Sequence, residues 1–273
     1  MFLSSIKNQI KTFIKLQKES DPIDLLTKKY SLIVRKIEQR ENGTFLMEMK
    51  SGIQLACRNF PHSDFLVFDQ VFIDQEYLSV SSLFLNKSLK SHGNFTIIDA
   101  GANVGYTSLY LKNHFPHSTI LSIEPDDQNF KQLIENISLN SFDNSVFPIQ
   151  KALLGESGIN LSTQKDFRDG KDWAITVEKT DAISNLQSIS IIDLIKEYEI
   201  KNVDILKIDI EGAERFLFTE ENDLSYLKKV KTIIIEIHDE FNCRELINHS
   251  LAKNDFMLID LGESTLGINK NFI

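Results

Sequence analysis

A chain of 273 residues with 42% hydrophobic and 25% charged side chains can bury the core of one sizeable α/β domain plus a smaller piece. This excludes disordered and disulfide-scaffold classes, because Ile, Leu and Phe are plentiful and the two cysteines, Cys57 and Cys243, form no CxxC pair. The formal net charge of −9 repels phosphates and argues against nucleic acid as the main substrate.

Residues 2–18 predict an amphipathic helix, with Phe2, Ile6, Ile10, Phe13 and Ile14 at helical spacing and Lys7, Lys11, Lys15 and Lys18 on a neighbouring face. Such a helix docks on its own core or on a second subunit, so a homodimer is an expectation; contact with an anionic membrane surface is the less favoured reading. The lysines also interrupt any signal-peptide core, and no stretch approaches the ~20 apolar residues of a membrane helix, which makes a cytoplasmic location the default. Tyr30–Ile37, Thr44–Met49 and Ile53–Arg58 follow as short strand candidates, separated by Asn42-Gly43 and Ser51-Gly52 turns. The next stretch reads as helices with Phe65, Phe68, Val71 and Phe72 on an apolar face, until His92-Gly93-Asn94 breaks the pattern.

From Phe95 apolar runs alternate with helical stretches. The runs are 95–100, 118–125, 145–153, 203–210, 231–238 and 256–262; helices are expected at 105–115, 127–140, 190–199, 212–228 and 242–254. Continuous apolar strands separated by helices indicate a parallel sheet covered on both faces. A last strand, 265–271, follows the sixth after a tight turn, which forces antiparallel pairing. The expected fold class is therefore α/β, a Rossmann-like sheet of seven mostly parallel strands with the last antiparallel. Residues 1–92 form a small α+β lead-in and 93–273 the main domain. The polar stretch 154–190 contains the single tryptophan, Trp173, and reads either as a hairpin extension or as part of an acceptor pocket.

Four motifs carry chemistry. DAGANVGYTS, Asp99 to Ser108, lies between the first run and its helix, where Gly101 and Gly105 let the backbone turn and approach a ligand. Glu124 ends the next strand, where a carboxylate can accept both ribose hydroxyls of a nucleoside. These two elements indicate an adenosine-containing cofactor without choosing between NAD and S-adenosylmethionine. LKIDIEGAE, Leu206 to Glu214, then places Lys207, Asp209, Glu211 and Glu214 at a strand end. Hydride transfer has no evident use for so many carboxylates, whereas methyl transfer to a hydroxyl needs a group to orient the acceptor and take its proton. Asp209, Glu211 and His238 also offer a donor set for a divalent metal such as Mg or Mn. The fourth motif, EIHDE, Glu236 to Glu240, brings His238 to the same mouth as a candidate general base.

Taken in order, IIDAGANVGYTSLYL, ILSIEPDDQNFKQL, ILKIDIEGAE and IIIEIH closely resemble FkbM-family methyltransferases, over about Asp69 to Phe256 and including the upstream VFDQVFIDQEYL. The resemblance implies a class I methyltransferase fold, S-adenosylmethionine as donor, and hydroxyl acceptors, often on sugars. It also implies that Gly101, Asn103 and Gly105 wrap the methionine part of the cofactor, with Asp99 beneath. Glu124 would hold the ribose, Asp126 would lie near the adenine, and Lys151 or Ala152 would flank its edge. Glu76 and Tyr77 would close over the methionine end. Asp209, Glu211 and His238 would face the acceptor, a carbohydrate or small molecule, with Lys207 counted among the catalytic set. No Asn/Asp-Pro-Pro-Tyr loop of the kind used for amino nitrogens follows the fourth strand, which reads Asp209-Ile210-Glu211-Gly212. The alternatives are an NAD-type oxidoreductase, opposed by the non-GxGxxG loop, and a non-catalytic binding protein retaining the fold.

Overall fold

The computed structural model describes residues 22–85, 94–164, 176–180, 182, 184–219 and 221–273. The expected N-terminal helix 2–18 and Trp173 lie outside the described residues.

Seven strands build the main sheet: β4 (Thr96–Ala100), β5 (Thr119–Ile123), β6 (Val146–Ile149), β11 (Val203–Ile208), β12 (Val230–Glu236), β13 (Phe256–Leu261) and β14 (Ser264–Asn269). Their order across the sheet is β13-β14-β12-β11-β4-β5-β6. All neighbouring pairs are parallel except those of β14, which runs antiparallel to both β12 and β13. This is the sheet of seven mostly parallel strands with the last antiparallel that the sequence leads one to expect. Consecutive strand residues point to opposite faces, which divides the core in two. Ile97, Ile120, Ile205 and Ile234 join one cluster, while Ile98, Leu121, Leu206 and Ile233 join the other.

The lead-in comprises α1 (Pro22–Tyr30), the antiparallel meander β1 (Val34–Gln39), β2 (Phe45–Met49) and β3 (Gln54–Cys57), then α2 (Asp64–Phe68), a π-turn (Asp69–Ile73) and α3 (Leu78–Leu85). Its apolar residues continue the first core: Tyr30, Met47, Phe65 and Phe68 pack in one cluster with Tyr106, Leu109 and Ile137. Polar side chains close the free edge of β3. From α5 (Asp127–Leu139), Asn136 Oδ1 accepts the Ala56 N–H at 2.7 Å and its Nδ2 donates to the Val104 carbonyl at 2.8 Å. Asn140 makes the reciprocal pair with Gln54. An unpaired edge is a liability in a sheet, and here amides satisfy it.

The helices α4 (Tyr106–His114), α5, α6 (Ile191–Glu197) and α7 (Arg244–Lys253) fall where periodicity places them. Three expectations need correction. The strand expected at Tyr30–Ile37 runs instead over Val34–Gln39, because Tyr30 still belongs to α1 and residues 31–33 turn out of it, with Ile33 N–H donating to Tyr30 O. The stretch 212–228 is not one helix but two 3-10 turns, Ala213–Phe216 and Ser225–Lys229. Asn222 captures the Phe216 and Leu217 carbonyls at 2.6 and 3.0 Å, which diverts them from helical pairing. The run 145–153 is also divided: β7 (Ala152–Leu153) leaves the main sheet to pair with β10 (Ser188–Ile189). Between them β8 (Leu161–Gln164) and β9 (Thr176–Lys179) form an antiparallel hairpin.

Candidate active site

The chemistry-bearing residues gather at the C-terminal ends of the parallel strands, where open α/β sheets bind ligands. After β4 the chain turns at Gly101, whose φ of +78° suits glycine. Space demands glycine as well, since a Cβ there would sit 1.6 Å from the Asp209 carbonyl oxygen. The loop is pinned by its own backbone: the Gly101 and Ala102 N–H groups both donate to Ile123 O, at 3.0 and 2.9 Å. Beneath it lies Asp99, fully buried, whose Oδ2 accepts the Ser108 hydroxyl at 2.6 Å.

Glu124 follows β5. Its Oε2 accepts the Asn103 N–H at 2.8 Å and its Oε1 the Asp126 N–H at 2.9 Å, so the carboxylate links the glycine loop to the start of α5. Burial outweighs those two hydrogen bonds and pushes its carboxyl up to about 7. The Asp126 side chain caps α5, accepting from the Gln128 and Asn129 N–H groups at 2.9 and 3.0 Å. The adenine-edge candidates follow β6: Lys151 is half-buried and its N–H donates to Ile149 O, which also accepts the Glu124 N–H. Ala152 is buried and already committed to pairing with the Gln187 carbonyl.

At the end of β11 and one residue past it, Lys207 and Asp209 fall on one face of the extended chain. Lys207 lies under the glycine loop rather than in the mouth. It is 2% exposed, and its Nζ donates to Gly101 O at 2.7 Å and lies 3.3 Å from Asp99 Oδ1 and 3.5 Å from Asp209 Oδ2. Burial disfavours its charge, but Asp99, Asp209 and Glu76 outweigh burial and hold the ammonium above its ordinary range. Asp209 keeps partial access to solvent. Glu76, from the lead-in, is pushed up to about 7 by burial and by Asp209, against the opposing field of Lys207. Its neighbour Tyr77 is buried.

The chain then passes through Glu211 and Gly212, both with positive φ (+52° and +89°); at Gly212 a Cβ would meet the Phe241 ring at 2.1 Å. This turn folds two carboxylates around His238. Glu214 Oε1 lies 3.1 Å from Nδ1, and Glu211 Oε2 lies 3.3 Å from Nε2. Burial opposes the charge of the imidazole, yet Glu211 and Glu214 raise it to about 11. His238 therefore differs from the open base expected at the mouth: it is 1% exposed and sits as a cation between carboxylates. One candidate escaped the sequence reading. Glu236, at the end of β12, faces the same cluster, with Oε1 3.7 Å from His238 Nε2. Burial raises its carboxyl well above the ordinary range, with Asp209 and Glu76 adding to it. The available signal was its i, i+2 relation to His238, which puts both on one side of an extended chain. Single donor atoms of Asp209, Glu211 and His238 all lie within 4.8 Å of one another.

A sheet of this order, with a glycine loop after its first strand, an acidic residue ending the second and a carboxylate cluster after the fourth, defines a class I methyltransferase. The sequence profile of the methyltransferase FkbM domain matches residues 99–258, more than half of the chain, and the protein belongs to that family. Methyltransferase sdnD of Sordaria araneosa is 25% identical over 189 residues, covering 59% of this chain and 73% of that protein. Methyltransferase 1 of Beauveria bassiana is 26% identical over 163 residues, covering 52% and 64% respectively. A crystal structure of methyltransferase FkbM from Methylobacillus flagellatus KT aligns with a TM-score of 0.43 and 17% identity, over 74% of this chain and 52% of that one.

Proposed function

We propose that the protein transfers the methyl group of S-adenosylmethionine to a hydroxyl oxygen of a carbohydrate or small metabolite. The observation that carries this reading is Asp209, whose backbone carbonyl packs against Gly101 of the glycine loop and whose partly exposed carboxylate lies 3.5 Å from Lys207 Nζ. Methyl transfer from a sulfonium is a displacement: the acceptor oxygen forms a bond to the methyl carbon as the carbon–sulfur bond breaks. The acceptor hydroxyl must shed its proton in the same process, and a carboxylate within reach orients the hydroxyl and receives that proton. In this reading Glu124 holds the ribose hydroxyls, Gly101, Asn103 and Gly105 surround the methionine part over Asp99, and Asp126, Lys151 and Ala152 line the adenine end. Glu76 and Tyr77 cover the methionine side. Glu211 and His238 stand on the acceptor side with Asp209. His238, held cationic, orients Glu211 and Glu236 instead of serving as the base. The acidic balance of the chain supports a neutral acceptor over nucleic acid.

A second reading concerns metal. Asp209, Glu211 and, once its proton is displaced, His238 would supply hard oxygen and imidazole donors, and Glu214 at Nδ1 is the outer carboxylate that a metal-bound histidine commonly has. A divalent cation there would make the acceptor hydroxyl more acidic. Calorimetric titration with Mg²⁺ and Mn²⁺ tests it, and heat absent from wild type would dismiss it. The main reading is tested by transfer of label from methyl-labelled S-adenosylmethionine to a panel of sugars and hydroxylated metabolites, with Asp209→Asn as control. The expected result is transfer by wild type that the variant loses while still binding S-adenosylhomocysteine. Undiminished transfer by the variant would remove Asp209 from the reaction.

A further inference from the structure

We propose that Lys207 is a positioning residue, the buried joint that fixes the glycine loop and Asp209 in one register. The cofactor's amino-acid tail and the acceptor-facing carboxylate are thereby aligned. This inference rests on the cofactor reading above and gives one further residue a role in it.

An ammonium has three protons and no lone pair, and the Nζ of Lys207 has three oxygens around it. Gly101 O is at 2.7 Å, Asp99 Oδ1 at 3.3 Å and Asp209 Oδ2 at 3.5 Å. With the side chain buried and its donors directed to the protein, it has nothing left to offer a substrate. Each of its partners belongs to a different part of the site. Gly101 is the turn of the loop, Asp99 is its floor, and Asp209 is the carboxylate of the acceptor side. Asp99 is itself held from the far side, since its Oδ2 accepts from Ser108 on α4, whose hydroxyl lies 2.7 Å from that of Ser122 on β5. The two loops also meet directly, with Asp209 N–H donating to Ala100 O at 3.1 Å and no room for a Cβ at Gly101. Lys207 is the cation that lets two carboxylates and a carbonyl converge there. Without it Asp99 remains buried beside Asp209 with no cation between them, and the loop loses the donor to its turn carbonyl. The adenosine end is anchored through a different carboxylate, Glu124, which is fixed by the N–H groups of Asn103 and Asp126 and which Lys207 reaches only through its field.

The test compares two ligands that share adenosine and differ in the tail: S-adenosylhomocysteine and 5′-methylthioadenosine. Calorimetry on wild type, Lys207→Met and the milder Lys207→Gln gives the readout, with thermal melting to establish folding. Losing a hydrogen bond made by a charged group predicts at least about tenfold weaker S-adenosylhomocysteine binding. Methylthioadenosine affinity is expected to change by less than about twofold, a split that general loosening would not produce. Parallel loss of both ligands, or retention of both, overturns the proposal, as does collapse of both variants, which would make Lys207 a residue of folding. Wild type that binds neither ligand would instead overturn the cofactor reading itself.

Discussion

Replacing Glu124 with glutamine removes a buried charge without changing the shape of the side chain. The unliganded carboxyl stands at about 7 against an ordinary 4.5, and a shift of that size corresponds to about 3 kcal/mol against ionisation in the folded chain. A ribose bound to this group requires the carboxylate form, so binding of S-adenosylhomocysteine is linked to loss of the proton. The ionised fraction rises about tenfold between pH 6 and pH 8 for a group titrating near 7, and the association constant is expected to rise with it. Glu76 also titrates at about 7, but it does so in wild type and variant alike, so the difference between their profiles isolates Glu124. At pH 8 the amide of the Glu124→Gln variant can serve only one of the Asn103 and Asp126 N–H groups as acceptor, and it offers the ribose a single weaker oxygen. A loss of roughly 1.5–3 kcal/mol, about 10- to 100-fold in affinity, follows. Calorimetry across pH 6–8 measures both effects. Identical pH slopes for wild type and variant, or equal affinity at pH 8, would refute the reasoning. The same group sets a stability trend. Between 4.5 and 7 the folded chain binds more protons at this site than the unfolded chain, so the contribution of Glu124 is fully present below 4.5 and is lost as pH rises through 7. In urea titrations of the unliganded protein, the midpoint of Glu124→Gln should therefore fall less between pH 5 and pH 8 than that of wild type.

Other perturbations follow from the same geometry. Gly101→Ala drives a methyl group into the Asp209 carbonyl, and is expected to abolish S-adenosylhomocysteine binding; retained affinity would show that the loop yields. Asn136→Ala removes a fully buried amide that serves two backbone groups, leaving the Ala56 N–H and Val104 carbonyl without it. A loss of about 2–4 kcal/mol in urea unfolding is expected, and an unchanged midpoint would mean that the β3 edge contributes little. Asp64→Asn breaks the buried pair with Arg58, where the two groups meet at 2.7 Å; removing one partner of such a pair costs roughly 3–5 kcal/mol, read from the same unfolding curves.

Much of this fold is legible because parallel strands buried on both faces leave uninterrupted apolar runs, such as Ile97-Ile98 and Ile233-Ile234-Ile235. The glycine loop and Glu124 are legible because their chemistry is local to a strand end. Features that depend on what lies across space are less so. Period-two alternation places Lys207 and Asp209 on one face, but only the packed loop reveals that Lys207 ends beneath Gly101 O instead of in solvent. His238 reads as a titrating base until Glu211 and Glu214 are seen on its two nitrogens. The apolar residues of 212–228 look helical, and the breaking element is a side chain, Asn222, whose capture of two carbonyls leaves no sequence period. Asp126, which the family resemblance puts near the adenine, also caps α5 with its side chain, a role that shows only once the helix start is seen.

The most direct test of the central claim is the carbon chemical shift of the transferred group. Wild type is incubated with ¹³C-methyl S-adenosylmethionine and the acceptor found in the label-transfer panel. A product methyl in the ether range, absent with Asp209→Asn, is the expected result; a methyl in the amine or thioether range would contradict hydroxyl transfer at this site.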